Sequence, residues 1–351
     1  MRRGLISRSR AELPDAVLDA RLARMRTPMV EAGLDALLIY TNNTRPAGVS
    51  WLTGFVPYWS EALLVVPRER DPVLVVALTY RVKGWIERTS RVANVIHTPR
   101  IGLEAARMIA ATRSSAVVGV ADLHGLGAGI LDDLRAGGPA LELRDASVMF
   151  AQLRAAADPA EVALAVKAAT IARDALAQAP SRNGKLGDII AAVERDARER
   201  GAEEVYIAAA PDLARDRRLR RIEGEAALGE RFALRATLAY KGAWLRLVRT
   251  FDGEQGAAMS DATVRLAAAV ARLPHPDGFA DASSWLVEGC RIAQPLEPLL
   301  GSRVTQPIVP SLGALVSVQA AFEIDEKPVL VGAPALLGRD GETASLLVQP
   351  S

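Results

Sequence analysis

The stretch Asp158-Pro159-Ala160-Glu161 decides how the chain divides. It places a helix N-cap, a proline at the first helical position and a carboxylate three residues after the cap, in the order that opens an α-helix. The apolar spacing that follows predicts a long helix reaching about Gln178. We take this helix as the start of a second domain, and we expect domains at residues 1–150 and 151–351.

The segment before this helix alternates helical and strand-like patterns. Residues 15–34 repeat apolar side chains at helical spacing and contain a stop signal at Gly33, and a strand is predicted at residues 36–40. Further strand-sized apolar runs, separated by helical stretches, follow at residues 62–66, 73–76, 92–96 and 116–120. Strands that alternate with helices predict an α/β domain.

The segment after the helix has a different order of elements. A second helix is predicted at residues 186–200, and two later helices are predicted near residues 261–272 and 281–292. Between and after them, paired strand patterns run over 231–240 with 243–250, and over 315–322 with 328–336. This order predicts an α+β domain built on antiparallel sheet.

Composition narrows the classes of partner. Half of the 351 residues are hydrophobic, and 43 Lys and Arg against 41 Asp and Glu leave a net charge of +2. A chain so nearly neutral favours small-molecule or protein partners over nucleic acid or a membrane. The basic run at 215–221 is interpreted as a solvated loop or edge strand, the alternative being a phosphate grip. With a single cysteine and no apolar segment of membrane-spanning length, we expect a cytoplasmic protein.

Short motifs along the chain carry a resemblance to a known family. They are Trp51-Leu52-Thr53-Gly54-Phe55 in the first half, then residues 158–161, Lys241-Gly242-Ala243-Trp244 and residues 312–318 in the second. In this order they resemble the creatinase, prolidase and aminopeptidase P family over roughly residues 15–347. The resemblance implies an α/β creatinase-like N-terminal domain followed by an α+β pita-bread domain.

The resemblance also implies a pair of metal ions held by two aspartates, a histidine and two glutamates, but the sequence departs from this set. Arg235 and Arg246 stand at the aspartate positions, Gln319 stands at the first glutamate position, and no histidine follows His275. The last ligand position falls at residue 343, or at Glu342 if a bulge shifts the register. We therefore expect no metal ion and no cofactor.

The two arginines need a negative partner. A turn near residues 240–242 would place Arg235 and Arg246 nearly opposite each other on one face of a hairpin, where like charges repel. The candidate partners are a bound carboxylate, phosphate or sulfate, or the side chains of Glu342, Glu323 and Asp325. An internal Arg–Glu network and an anion-binding pocket satisfy this requirement equally well.

Three functions remain open. The first is a pseudoenzyme with a degenerate metal site, which pairs with a catalytically intact paralogue or binds a small anionic, carboxylate-bearing molecule through Arg235, Arg246, Gln319 and Trp244. The alternative for Trp244 is that it fills the core. By resemblance, we expect at least a homodimer.

The other two functions are enzymatic. One is a metal-independent, creatinase-like C–N hydrolase or lyase, in which Glu342, Glu323 or His275 moves protons. The other is an Xaa-Pro metallopeptidase whose ligands come from positions that the family does not use.

Overall fold

The computed structural model describes residues 8–57, 59–92, 94–179, 184–252, 256–291, 294–339 and 341–350. The chain forms two compact units, one ending at Arg154 and the other beginning at Ala155. The predicted helix start is present just after this boundary. The Asp158 side chain accepts the N–H of Glu161 at 3.0 Å, and the Glu161 side chain accepts the N–H of Asp158 at 3.2 Å.

The first unit is a mixed sheet flanked by helices, so the predicted α/β class is confirmed. The sheet order is β4-β3-β2-β1-β5-β6, with β2 antiparallel to both of its neighbours and the remaining pairs parallel. The elements are α1 (Asp15–Glu31), β1 (Ala36–Asn42), α2 (Ala47–Thr53), β2 (Glu61–Pro67), β3 (Val73–Val76), α3 (Lys83–Thr89), β4 (Asn94–His97), α4 (Ile101–Thr112), β5 (Val117–Ala121), α5 (Ala128–Gly137), β6 (Glu142–Asp145) and α6 (Ser147–Leu153).

The second unit is an antiparallel sheet with helices, as the α+β prediction requires. The sheet order is β11-β10-β12-β13-β9-β8-β7, and a short β14 pairs with β13. The elements are α7 (Pro159–Ala177), α8 (Leu186–Glu199), β7 (Glu204–Ala210), β8 (Phe232–Tyr240), β9 (Ala243–Phe251), α9 (Ala257–Val270), β10 (Ser284–Arg291), β11 (Gln294–Gly301), β12 (Leu315–Ile324), β13 (Lys327–Leu336) and β14 (Ser345–Leu346).

The helices of the second unit all cover one face of its sheet. Leu234 and Leu238 of β8 lie in the core with α7 and α8, while Val318 of β12 and Val331 of β13 lie in the core with α9. Because successive side chains of a strand point to opposite faces, the intervening residues face away from the helices. The candidate site lies on that second face.

One predicted element is wrong. Residues 281–292 were expected to form a helix, but Ser284–Arg291 is strand β10, which pairs with β11 on one side and β12 on the other. Backbone pairing with two neighbours outweighs the helical spacing of the apolar residues. Within the described ranges, no helix is both long and apolar enough to cross a membrane.

Candidate functional site

A tight hairpin positions the two arginines. Its two-residue turn, Lys241-Gly242, has φ values of 47° and 80°, the left-handed conformation that joins antiparallel strands most compactly. The resulting register pairs Arg235 with Val248 and Arg246 with Thr237. The arginines therefore lie on the same face as diagonal neighbours. The expectation that they lie nearly opposite each other is wrong, because each is two residues away from the position that faces the other.

A single row of paired residues crosses the sheet through Arg235. Gln319 on β12 pairs with Gly332 on β13, Gly332 pairs with Val248 on β9, and Val248 pairs with Arg235 on β8. Directly paired residues lie on the same face of a sheet, so Arg235 and Gln319 point to the same side. Two of the sequence-predicted positions, Arg235 and Gln319, thus lie in one row across the sheet.

Arg246 has an internal partner that the sequence analysis missed. Its guanidinium donates to the carboxylate of Glu288 on β10, whose side chain is only 4% exposed, and to the hydroxyl of Thr237 at 3.2 Å. The N–H of Arg246 donates to the Ser317 hydroxyl at 2.9 Å. The negative partner is therefore Glu288 and not the expected Glu342, Glu323 or Asp325.

Arg235 is in a different position. It is half-buried, its Nε atom is buried without a hydrogen-bond partner, and no ion pair joins it to any residue that the structure describes. Burial lowers the pKa of its guanidinium, and the nearby positive charge of Arg246 lowers that pKa further, whereas Glu288 acts in the opposite direction. An unpaired half-buried cation of this kind is costly unless a ligand supplies the counter-charge.

A cavity of about 770 Å³ lies over the row. Arg235, Val248 and Gln319 line it, together with apolar side chains and three further arginines, Arg217, Arg218 and Arg303. Arg217 is paired with Glu323, and Arg218 is paired with Asp216. The basic run of residues 215–221 thus contributes two arginines and Leu219 to the cavity wall, in addition to forming an exposed segment.

The residues proposed to move protons do not meet in this cavity. Glu342 follows β13 in an exposed segment, and His275 is exposed in the connection between α9 and β10. Glu323 is on β12, where it binds Arg217. Trp244 lies on the face of Arg246 but stacks on Tyr206, with ring centroids 6.1 Å apart. Trp244 and the three acid–base candidates are absent from the described cavity wall.

The residues at the implied metal positions do not fit a pair of dications. Two positions present guanidinium groups, which are cations themselves and cannot coordinate a metal, and the third presents the neutral amide of Gln319. Opposite Gln319 in the row stands Gly332, which has no side chain, so neither Glu342 nor Thr343 occupies the facing strand position. No cluster of three metal-binding side chains exists among the described residues.

Comparisons with known proteins agree with this architecture. Residues 21–156 match the Creatinase/Prolidase N-terminal domain. The chain is similar in structure to the dipeptidase PepE from Mycobacterium ulcerans, with 17% identity, a TM-score of 0.67, and coverage of 95% of this chain and 96% of that one. The Xaa-Pro dipeptidase from Bacillus anthracis gives 14% identity and a TM-score of 0.68, covering 94% and 97%.

A domain whose name is not that of a peptidase has the same fold. The N-terminal domain of the FACT complex subunit SPT16 from Cicer arietinum gives 15% identity and a TM-score of 0.60, with 96% of each chain covered. No curated protein matches the chain in a sequence search. Identities at this level establish a shared fold, and the chemistry of the site has to be argued from its own residues.

Proposed function

We propose that this chain, which carries a creatinase/prolidase N-terminal domain and has the fold of the Xaa-Pro peptidases, is a non-peptidase that binds a small carboxylate-bearing molecule. One observation carries the proposal: Arg235 is half-buried in the cavity with no partner among the described residues, while Arg246 is paired. A carboxylate would accept two parallel N–H bonds from the free guanidinium. Of the two interpretations of the arginine pair, the internal Arg–Glu network applies to Arg246, and the anion-binding pocket is proposed for Arg235.

The charge of the residues around Arg235 favours a ligand with a single negative charge. Arg235, Arg246 and Glu288 together carry a net charge of +1, because the carboxylate of Glu288 neutralises one arginine. Arg303 also lines the cavity, but it is exposed, and solvent screens its charge more than that of the half-buried Arg235. A carboxylate matches that charge, whereas a phosphate dianion would exceed it. Apolar wall residues such as Leu219, Val248 and Leu330 favour a ligand with a hydrocarbon portion over a bare inorganic anion.

The wall of the cavity argues against acid–base chemistry. Among its described residues none is Asp, Glu, His, Cys, Lys or Tyr, so no group with a pKa near neutrality faces the ligand. A metal-independent C–N hydrolase or lyase needs such a group. A metallopeptidase with rearranged ligands needs several, and the described residues supply no cluster of three.

The test is a binding titration of the full chain with sodium phenylacetate by isothermal calorimetry. Arg235→Met should weaken binding at least tenfold, because a hydrogen-bonded charge contributes about 1.5–3 kcal/mol. The matched control is Arg249→Met, which removes the same charge from a half-buried arginine on the opposite face of β9. Equal binding by wild type and Arg235→Met would refute the proposal.

The absence of catalysis needs its own assay. The full chain is incubated with an Xaa-Pro dipeptide, with manganese and again with a chelator, and with creatine. We expect no turnover in any condition. Dipeptide cleavage that a chelator abolishes would support the metallopeptidase hypothesis. Turnover that resists the chelator and has a bell-shaped pH dependence would support the creatinase-like hypothesis.

A second candidate role is assembly, with a second copy or with a catalytically intact paralogue. Its support is that the same fold serves in a subunit of the FACT complex. In this chain, three large apolar side chains close together in sequence, Ile308, Val309 and Leu312, are each more than half exposed. Light scattering after size-exclusion chromatography distinguishes a homodimer from a monomer, and Leu312→Ser should weaken a dimer that uses this segment.

A further inference from the structure

We propose that the ligand carries a hydroxyl or N–H donor as well as its carboxylate, and that a short apolar spacer separates the two groups. This inference rests on the proposed function and specifies the chemistry of the same cavity. The carboxylate binds Arg235, the donor binds the side-chain oxygen of Gln319, and the spacer lies over Val248 and Gly332.

Gln319 supplies the first part of the argument. Its side-chain oxygen is buried and has no hydrogen-bond partner among the described residues, although Gln319 lines the cavity. A buried amide oxygen without a donor is rare in folded proteins, because its lost hydration is not replaced. In this orientation of the amide the buried atom is the oxygen, which accepts hydrogen bonds only, so the group that would satisfy it is an O–H or N–H donor.

The row of paired residues across the sheet sets the distance that the ligand has to span. Gln319 and Arg235 are separated by three strand spacings, roughly 14 Å between their backbones. Both side chains are long and extend from the same face, and a lean of each along the sheet toward the other leaves a gap between their polar ends that is shorter than the backbone separation. A spacer the size of a benzene ring suits a gap of this kind.

Val248 forms the floor of the cavity between these two polar groups, and Gly332 lies beside it in the row. A Cβ at Gly332 would lie 2.8 Å from the Val318 carbonyl oxygen and 3.0 Å from a Val248 methyl, so the position stays without a side chain. The floor is therefore low and offers no polar side chain. Leu330 and Leu219 on the cavity wall continue this apolar surface.

The probes are three pairs of carboxylates that differ only in a terminal hydroxyl. They are para-hydroxybenzoate with benzoate, para-hydroxyphenylacetate with phenylacetate, and para-hydroxyphenylpropanoate with phenylpropanoate, which vary the spacer stepwise. Dissociation constants are measured by calorimetry on the full chain. In at least one pair the hydroxylated member should bind about tenfold more tightly, because the analogue without the donor leaves the Gln319 oxygen unpaired.

Two variants assign the effect. Gln319→Leu should reduce the ratio within that pair to about one, while Gln306→Leu, which changes an exposed glutamine of the same cavity, should leave the ratio unchanged. The inference is overturned if wild type binds both members of every pair equally, or if Gln319→Leu keeps the preference.

The outcomes separate the inference from the function on which it rests. Equal binding within every pair that is still lost in Arg235→Met removes the donor requirement and leaves the carboxylate site intact. If no member of the panel binds, or if Arg235→Met binds the panel as wild type does, both the inference and the proposed function are overturned.

Discussion

Replacing Arg235 with methionine is expected to stabilise the protein in the absence of ligand. The guanidinium is half-buried, its Nε has no partner among the described residues, and Arg246 lies on the same face nearby. Methionine keeps most of the aliphatic length of the side chain and removes the unpaired charge. A residue retained for binding at the expense of stability behaves in this way.

The magnitude follows from the contacts of the two arginines. A buried unpaired donor costs about 1–3 kcal/mol, and the lower half of this range applies because Arg235 is only half-buried. We expect a gain of about 1–2 kcal/mol, or roughly 2–8 °C in Tm for a unit of this size. Arg246→Met should have the opposite sign. It leaves the 4%-exposed Glu288 without its cation, which costs about 2–4 kcal/mol after allowing for the 24% exposure of Arg246.

The assay is urea unfolding of wild type, Arg235→Met and Arg246→Met, followed by circular dichroism and by intrinsic tryptophan fluorescence. The reasoning requires that the midpoint rises for Arg235→Met and falls for Arg246→Met. If both variants lose stability to the same extent, Arg235 has a structural partner and the distinction between a free and a paired arginine is refuted.

Three other predictions concern single residues of the same unit. Burial raises the pKa of Glu203 above its ordinary 4.5. The carboxyl therefore favours folding below that pH, and this contribution to stability is lost as pH rises through the folded-state pKa. In Glu203→Gln the urea midpoint should fall less over this pH range than it does in wild type. Burial raises the pKa of Cys290 to about 12, so iodoacetamide should leave the native thiol unmodified and label it in urea, as mass spectrometry would detect. Gly332→Ala should cost about 1–3 kcal/mol of stability in urea unfolding, because its Cβ meets the Val318 carbonyl oxygen at 2.8 Å; a neutral effect would mean that the floor is not closely packed.

Local sequence signals predicted much of the fold. The cap at Asp158 is formed by the side chain and backbone contacts that its residue types imply, and both predicted strand pairs of the second unit are present. The exception is β10, whose sequence Ser284–Arg291 has apolar residues at spacings that suit a helix as well. Hydrogen bonds to β11 and β12 select the strand over the helix, and a single sequence does not reveal these two neighbours.

The site was predicted in its positions but not in its partners. Arg235, Arg246 and Gln319 share one face as expected, whereas Glu288 was missed because its strand was interpreted as a helix. A lone carboxylate within an apolar strand is a signal for a buried ion pair, and it could have been used.

The position of Gly332 was also within reach of sequence reasoning. Once the strand pair around residues 325–326 is accepted, a two-residue turn there sets Gly332 opposite Gln319. The placement of the last ligand position at residue 343, or at Glu342, stays a prediction, because the pairing of Gln319 with Gly332 shows only that neither residue faces Gln319. The unpaired state of Arg235 was not predictable, because it depends on which side chains from distant strands reach the cavity.

The central claim is that the cavity selects an anion and not a pair of metal ions. Native mass spectrometry of the full chain tests it, after incubation with manganese and, separately, with the three hydroxylated arylcarboxylates. The account predicts no bound manganese and one carboxylate per chain, absent from Arg235→Met and present in Arg249→Met. Two manganese ions per chain, or a carboxylate adduct that persists in Arg235→Met, would contradict it.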